Sequence, residues 1–107
     1  MPRYLIRASY SVDGVKGLLS KGGTARRDAV REAVESVGGT MEGFFFAFGK
    51  DDVVILCEVP DLASAAAVSL VASASGGLSR ASTTVLLDPE EIDEAAKKSP
   101  HYVPPGG

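Results

Sequence analysis

Few side chains in this sequence can do chemistry, and they are scattered. There is one cysteine, Cys57, and one histidine, His101, and there is no Asn, Gln or Trp. One Cys and one His cannot build the usual zinc site, so no metal is expected. A single cysteine also excludes an internal disulfide. Without side-chain amides, any site must use Arg, Lys, Tyr, Ser, Thr, acids or backbone N–H groups. His101 is a candidate general base, since imidazole titrates near neutrality. It stands in a proline-rich tail, where a surface or packing role is the simpler reading. Cys57 follows Leu56 on a strand with Val53, Ile55 and Val59 on its side, which reads as a small buried hydrophobe rather than a nucleophile. Glu58 is the second candidate for moving a proton.

Two short clusters hold charge beside glycine. Gly49-Lys50-Asp51-Asp52 lies between two apolar runs and reads as a hairpin turn, in which Gly supplies unusual φ and Asp bonds nearby amides. Two adjacent carboxylates alone make a weak cation site. "KGGTARR", Lys21 to Arg27, looks like an anion-binding helix start. It lacks both glycine-rich phosphate patterns, so a flexible surface loop is the better reading. A wider set lies on the strands. Arg7 and Arg80, with Ser82 and Thr84, are polar positions in otherwise apolar elements, and Tyr4, Tyr10 and Glu58 are further candidates for the same set. Arg7, Arg80, Tyr4, Phe44 and Phe46 are the candidate ligand-binding residues: an arginine in an apolar pocket can pair with a carboxylate or enolate. The alternative for both arginines is a place at strand ends, or an intersubunit pair with Glu58 or Asp52.

The elements that position these residues follow from periodicity. Arg3–Ser11 alternates and predicts strand one, with Tyr4, Ile6, Ala8 and Tyr10 on one face. "GVKGLLSKGG" is glycine-rich and predicts no more than one helical turn. Thr24–Val37 carries an apolar stripe at helical spacing and ends at Gly38-Gly39. Thr24 is its expected N-cap, with an Arg31–Glu35 pair on the wet side. Thr40–Phe48 and Asp52–Val59 predict a hairpin. Asp61 caps a second helix, Leu62–Ala74, which is uncharged and expected to be buried on more than one side. Leu78–Leu87 is strand four. Asp88-Pro-Glu-Glu91 starts a short helix, with Lys97 and Lys98 at its C-terminal end. Residues 1–98 read as one domain and 99–107 as a Pro/Gly-rich tail.

This order is β-α-β-β-α-β plus a helix. It predicts an α+β, ferredoxin-like fold: a four-stranded antiparallel sheet with two helices on one face. Phe44, Phe46 and Phe48 share one face of strand two, and Phe45 and Ala47 the other. Val54 and Leu56 oppose Val53, Ile55 and Cys57. A sheet with one wet face alternates apolar and polar, and this hairpin does not. A second copy packed sheet to sheet by two-fold symmetry is the expected cover.

Composition limits the functions open to such a domain. Of 107 residues, 45 % are hydrophobic and 23 % charged, an ordinary globular balance. A net charge of −3 and a pI near 5.0 argue against nucleic acid as a partner. No run of about 18 apolar residues is present to cross a membrane. "MPRYLIRASYS" has too short an apolar core for a signal peptide, so the cytoplasm is the expected location.

The chain resembles the GYD family of the dimeric α/β-barrel superfamily. The likeness lies in "YLIRASYSVDGVKGLL", "GGTARR", "VGGTMEGFFFAFG", Asp52 followed by Glu58, Pro60-Asp61 and "TTVLLDPEEIDEAAKK", nearly the whole chain. The family's naming motif is Gly-x-Tyr-Asp. Here Gly49 and Asp52 match, while Asp51 holds the tyrosine position, so no role for that hydroxyl carries over. The resemblance implies a dimeric ferredoxin-like fold and no established activity. Three functions remain open: a homo-oligomer binding a small, partly apolar ligand; a cofactor-independent oxygenase or isomerase on a carbonyl or phenolic compound; and a structural or interaction module. None calls for a bound cofactor.

Overall fold

Alternation along β1 (Arg3–Tyr10) sets the two sides of the sheet. In the computed structural model, which describes residues 1–107, Tyr4, Ile6 and Ala8 are buried and Arg7 between them is exposed. The elements that follow are α1 (Val12–Lys21), α2 (Gly23–Ser36), β2 (Thr40–Phe46), β3 (Val53–Glu58), α3 (Leu62–Ala74), β4 (Leu78–Leu86) and α4 (Pro89–Ala96). The strands form one antiparallel sheet in the order β2-β3-β1-β4. That is the ferredoxin-like order, with β1 and β3 central, so the predicted fold class is the observed one.

Tyr4, Ile6, Ala8, Val53, Ile55, Cys57 and Val59 form the buried face of the sheet, and Val34 of α2 and Ala65 of α3 close on it. A bulge in β2 at Glu42 lets both Met41 and Phe44 face this core, opposite Cys57 and Ile55. Partners directly opposite share a face. The other face therefore carries Leu5, Arg7 and Ser9 of β1, Val54 and Leu56 of β3, Phe45 of β2, and Arg80, Ser82 and Thr84 of β4.

Several local expectations are corrected. Val12–Lys21 is a ten-residue helix, not one turn. Ser11 caps it by accepting from the Gly14 N–H at 3.1 Å, and Asp13 and Lys21 suit its dipole. One of its glycines has a packing reason, because Gly14 sits against the body: a Cβ there would run into the Gly77 carbonyl and lie 3.2 Å from the Tyr10 ring. Lys21–Arg27 is accordingly not a loop but the end of α1 and the first turn of α2. Gly22, at φ 88°, separates the two helices and replaces Thr24 as the N-cap position. Arg31 pairs with Asp28 at 3.2 Å instead of Glu35. β2 stops at Phe46, leaving Phe48 outside the sheet.

The largest correction concerns α3. Only Ala65 is buried, while Leu62, Leu70 and Val71 are exposed. α3 packs on β4 and α2 on β2, at opposite edges of the sheet, with a gap between them. α4 starts as expected, with the Glu91 carboxylate accepting from the Asp88 N–H at 3.0 Å. Every residue from Leu87 to Gly107 is exposed, and α4 makes no extensive contact with any other element. The radius of gyration is 16.9 Å, against about 13 Å for a compact chain of this length. No helix is long and apolar enough to cross a membrane.

The glycines of α1 give a paired prediction. Gly14→Ala should destabilise by about 1–3 kcal/mol through overpacking, although alanine is the better helix former by about 1 kcal/mol. Gly17→Ala, where a Cβ meets nothing within 4 Å, should stabilise by about 0.5–1 kcal/mol. Urea unfolding measures both, and a gain at Gly14 would show that α1 is not seated against Gly77.

Candidate functional site

The gap between α2 and α3 is a cleft of about 390 Å³ over the helix-covered face. Its floor is Ile6, Ala8, Val53, Ile55 and Phe44. One wall is Ala29, Val30, Ala33 and Val34 of α2 with Val37 at its C-cap, and the other is Val68, Val71 and Ala72 of α3. The cleft exists because these wall residues are small. Alanine and valine at the inward positions of both helices cannot span the distance between elements anchored on opposite sheet edges. An apolar hollow of this size, with few polar groups, is the usual form of a small-molecule site.

Beside the hydroxyls of Ser36, Ser69 and Ser75, two titratable side chains give the cleft its chemistry. Tyr10, at the end of β1, and Arg26, in the first turn of α2, both line it. Arg26 takes part in none of the ion pairs of the chain. Burial raises the Tyr10 phenol above its ordinary 10.0; Arg26 pulls it down and Asp52 pushes it up. At neutral pH the cleft thus offers a neutral hydroxyl and a cation on apolar walls.

The residues singled out from the sequence are divided by the sheet. Phe44 lines the cleft. Its ring meets Phe46 edge-on, with centroids 5.2 Å apart, and both border a shallower hollow with Gly23, Thr24 and Arg27. Tyr4 is 1 % exposed within the core and outside the cleft, and its hydroxyl is buried without a hydrogen-bond partner. Arg7 and Arg80 lie on the opposite face and cannot share a pocket with Phe44. Parity along β1 carried that information: Arg7 alternates with Tyr4, Ile6, Ala8 and Tyr10. Arg26 was not singled out, because "KGGTARR" reads as a loop until α1 and α2 are placed.

Glu58 and His101 do not line the cleft. Glu58 is held at one end of the far face by Arg3, whose guanidinium reaches Glu58 at 3.1 Å, Glu42 at 2.9 Å and Asp88 at 3.3 Å. His101 is exposed in the tail. Cys57 is buried, and burial, then Glu42, pushes its thiol up, which leaves it a poor nucleophile. No group of three or more His, Cys, Asp and Glu side chains could hold a metal ion.

Gly49–Asp52 is a connector pinned across the sheet. The Asp52 carbonyl accepts from Ala47 N–H at 2.8 Å, and its carboxylate accepts from Tyr10 N–H at 2.9 Å. Arg80 crosses from β4 to donate to the Lys50 carbonyl at 2.8 Å and the Asp51 carboxylate at 3.1 Å. These polar groups are occupied in holding the hairpin against β1 and β4.

Such a sheet and helix layer define a ferredoxin-like α+β domain, and comparisons agree. The FFRP-DM1 structure superposes with a TM-score of 0.56 at 11 % identity, covering 81 % of this chain and all of that one. The C-terminal domain of the MgtC protein from Mycobacterium tuberculosis gives 0.56 at 16 % identity, covering 79 % and 87 %. An uncharacterised NIPSNAP domain protein from Burkholderia xenovorans gives 0.51 at 13 % identity, covering 82 % and 94 %. At these identities the likeness is one of fold. The GYD domain matches residues 4–96, and the chain belongs to the GYD family. No curated protein sequence matches it.

The cleft predicts a pH dependence. Because folding raises the Tyr10 pKa, the folded state keeps that proton longer than the unfolded chain. The stability linked to the neutral phenol is full below about pH 10 and is lost as pH rises through the folded pKa. Titration of the Tyr10 ring carbon by NMR should give a midpoint above 10.0. Arg26→Ala should move it higher still, by removing the cation that favours phenolate. A midpoint below 10.0, or a downward move in Arg26→Ala, would contradict the placement of these groups.

Proposed function

We propose that this GYD-family chain works as a homodimer whose helix-side cleft binds a small, mostly apolar molecule carrying one anionic group. The cleft with its single unpaired cation supports the ligand reading. Apolar walls supply affinity without direction, at about 25 cal/mol per Å² of ligand surface removed from water. Arg26 fixes orientation by pairing with a carboxylate at the mouth, and the neutral Tyr10 hydroxyl is placed to donate to the same group. Binding without turnover accords with the walls, which bring no carboxylate or imidazole to the ligand. The bare face of the sheet supports the homodimer: Leu5, Val54, Leu56 and Phe45 form an apolar centre on it, and Phe45 is 68 % exposed.

A thermal-shift and titration panel of aliphatic and aromatic monocarboxylates, each beside its neutral alcohol, tests the ligand reading. Acids should stabilise the protein and bind more tightly than the alcohols. Arg26→Ala should weaken acid binding about tenfold, or about 1.4 kcal/mol, with little effect on the alcohols. No shift from any acid at millimolar concentration would sink the proposal.

A further inference from the structure

Three features of the far face and the C-terminal segment belong together. The first is Arg7. It sits in the middle of the far face, between Val54 of β3 and Ser82 of β4, exposed and in no ion pair. The acids of that region are engaged elsewhere. Glu42 and Glu58 are held by Arg3. Asp51 is held by Arg80, and Asp52 by the Tyr10 amide. Within its own chain no carboxylate pairs with Arg7, and an unpaired guanidinium buried in a sheet-to-sheet interface is strongly unfavourable.

The second is charge. Residues 1–87 hold nine basic and nine acidic side chains. Residues 88–107 hold five acids and two lysines, so the whole net charge of −3 resides there. The third is the state of α4. An isolated helix of eight residues does not hold together in water, yet this one has a capping box and a proline start, and every one of its residues is exposed. Ile92, Ala95 and Ala96 give it an apolar side, and Ile92 is exposed. The whole segment from Leu87 on is exposed, in a molecule 55 Å long.

We propose that α4 crosses to the second copy and lies along the β1–β4 side of its far face, with Asp93 and Glu94 paired to that copy's Arg7. The inference rests on the dimer reading. It divides the face in two: Leu5, Val54, Leu56 and Phe45 meet their equivalents, while Arg7, Ser82 and Thr84 receive the acidic helix.

Charge reversal in the full-length chain tests this. Dimer dissociation is measured by sedimentation equilibrium and composition by native mass spectrometry. Arg7→Glu in one chain, and Asp93→Lys with Glu94→Lys in another, should each weaken homodimerisation at least tenfold. Lysines near the helix C-terminus suit its dipole, so α4 itself should survive the change. Mixed in equal amounts, the two variants should form heterodimers of near wild-type affinity, because both crossing contacts are then complementary. A D93K/E94K chain that dimerises as tightly as wild type overturns the crossing and leaves the sheet dimer standing. Rescue only when all three substitutions share one chain would show that α4 folds onto its own sheet, and overturns it too. A wild-type chain that is monomeric throughout removes the dimer and this inference together.

Discussion

The central strands β1 and β3 are apolar on both sides at their middles, and everything else in the molecule answers to that. Ile6, Ala8, Val53 and Ile55 look toward the helices, and Leu5, Val54 and Leu56 look away. Two helices can cover only one face of such a sheet, and here they cover it incompletely, because α2 and α3 pack on opposite edges. The same shortage of covering elements thus produces both the cleft and the bare face. Leaving a large apolar side chain in water forgoes about 1.5–3 kcal/mol of burial. Phe45 together with Leu5, Val54 and Leu56 makes a contiguous patch of the kind that marks an interaction surface.

Polar residues bound that patch and do not compete for the cleft. At one end Arg3 gathers Glu42, Glu58 and Asp88. At the other Arg80 ties the Gly49–Asp52 connector to β4 across Ser9. Pairs this exposed add at most about 1 kcal/mol each. Their effect is geometric: they fix where the hairpin ends and where the C-terminal segment leaves. Arg80 and the acids that look most chemical in the sequence are thus occupied with the sheet, while the cleft takes its titratable groups from Tyr10 and Arg26.

Alternation made the sheet legible. Arg3–Tyr10 shows period two, Val53–Cys57 is a short apolar run of strand length bounded by turn residues, and the hairpin and strand order follow from the sequence of elements. Asp61 and Asp88 announced their helices through capping chemistry. What was hidden depended on contacts distant in sequence. α1 looked too rich in glycine to form, because nothing local reveals that Gly14 must approach Gly77. α3 looked buried because it carries no charge, yet apolar composition cannot say which neighbour a helix will find. The cleft is a property of spacing between α2 and α3, so neither helix alone encodes it, and Arg26 gained significance only once α2 was set beside Tyr10. Tyr4 looked like a polar handle and turned out to be core, its hydroxyl unpartnered.

The claim that a second copy covers the far face is tested most directly by mass in solution. Sedimentation velocity of the intact chain, from micromolar concentration upward, should give one species of twice the 11.1 kDa of a single chain. A species of 11.1 kDa at every concentration would contradict the account, because the doubly apolar sheet would then stand open to water.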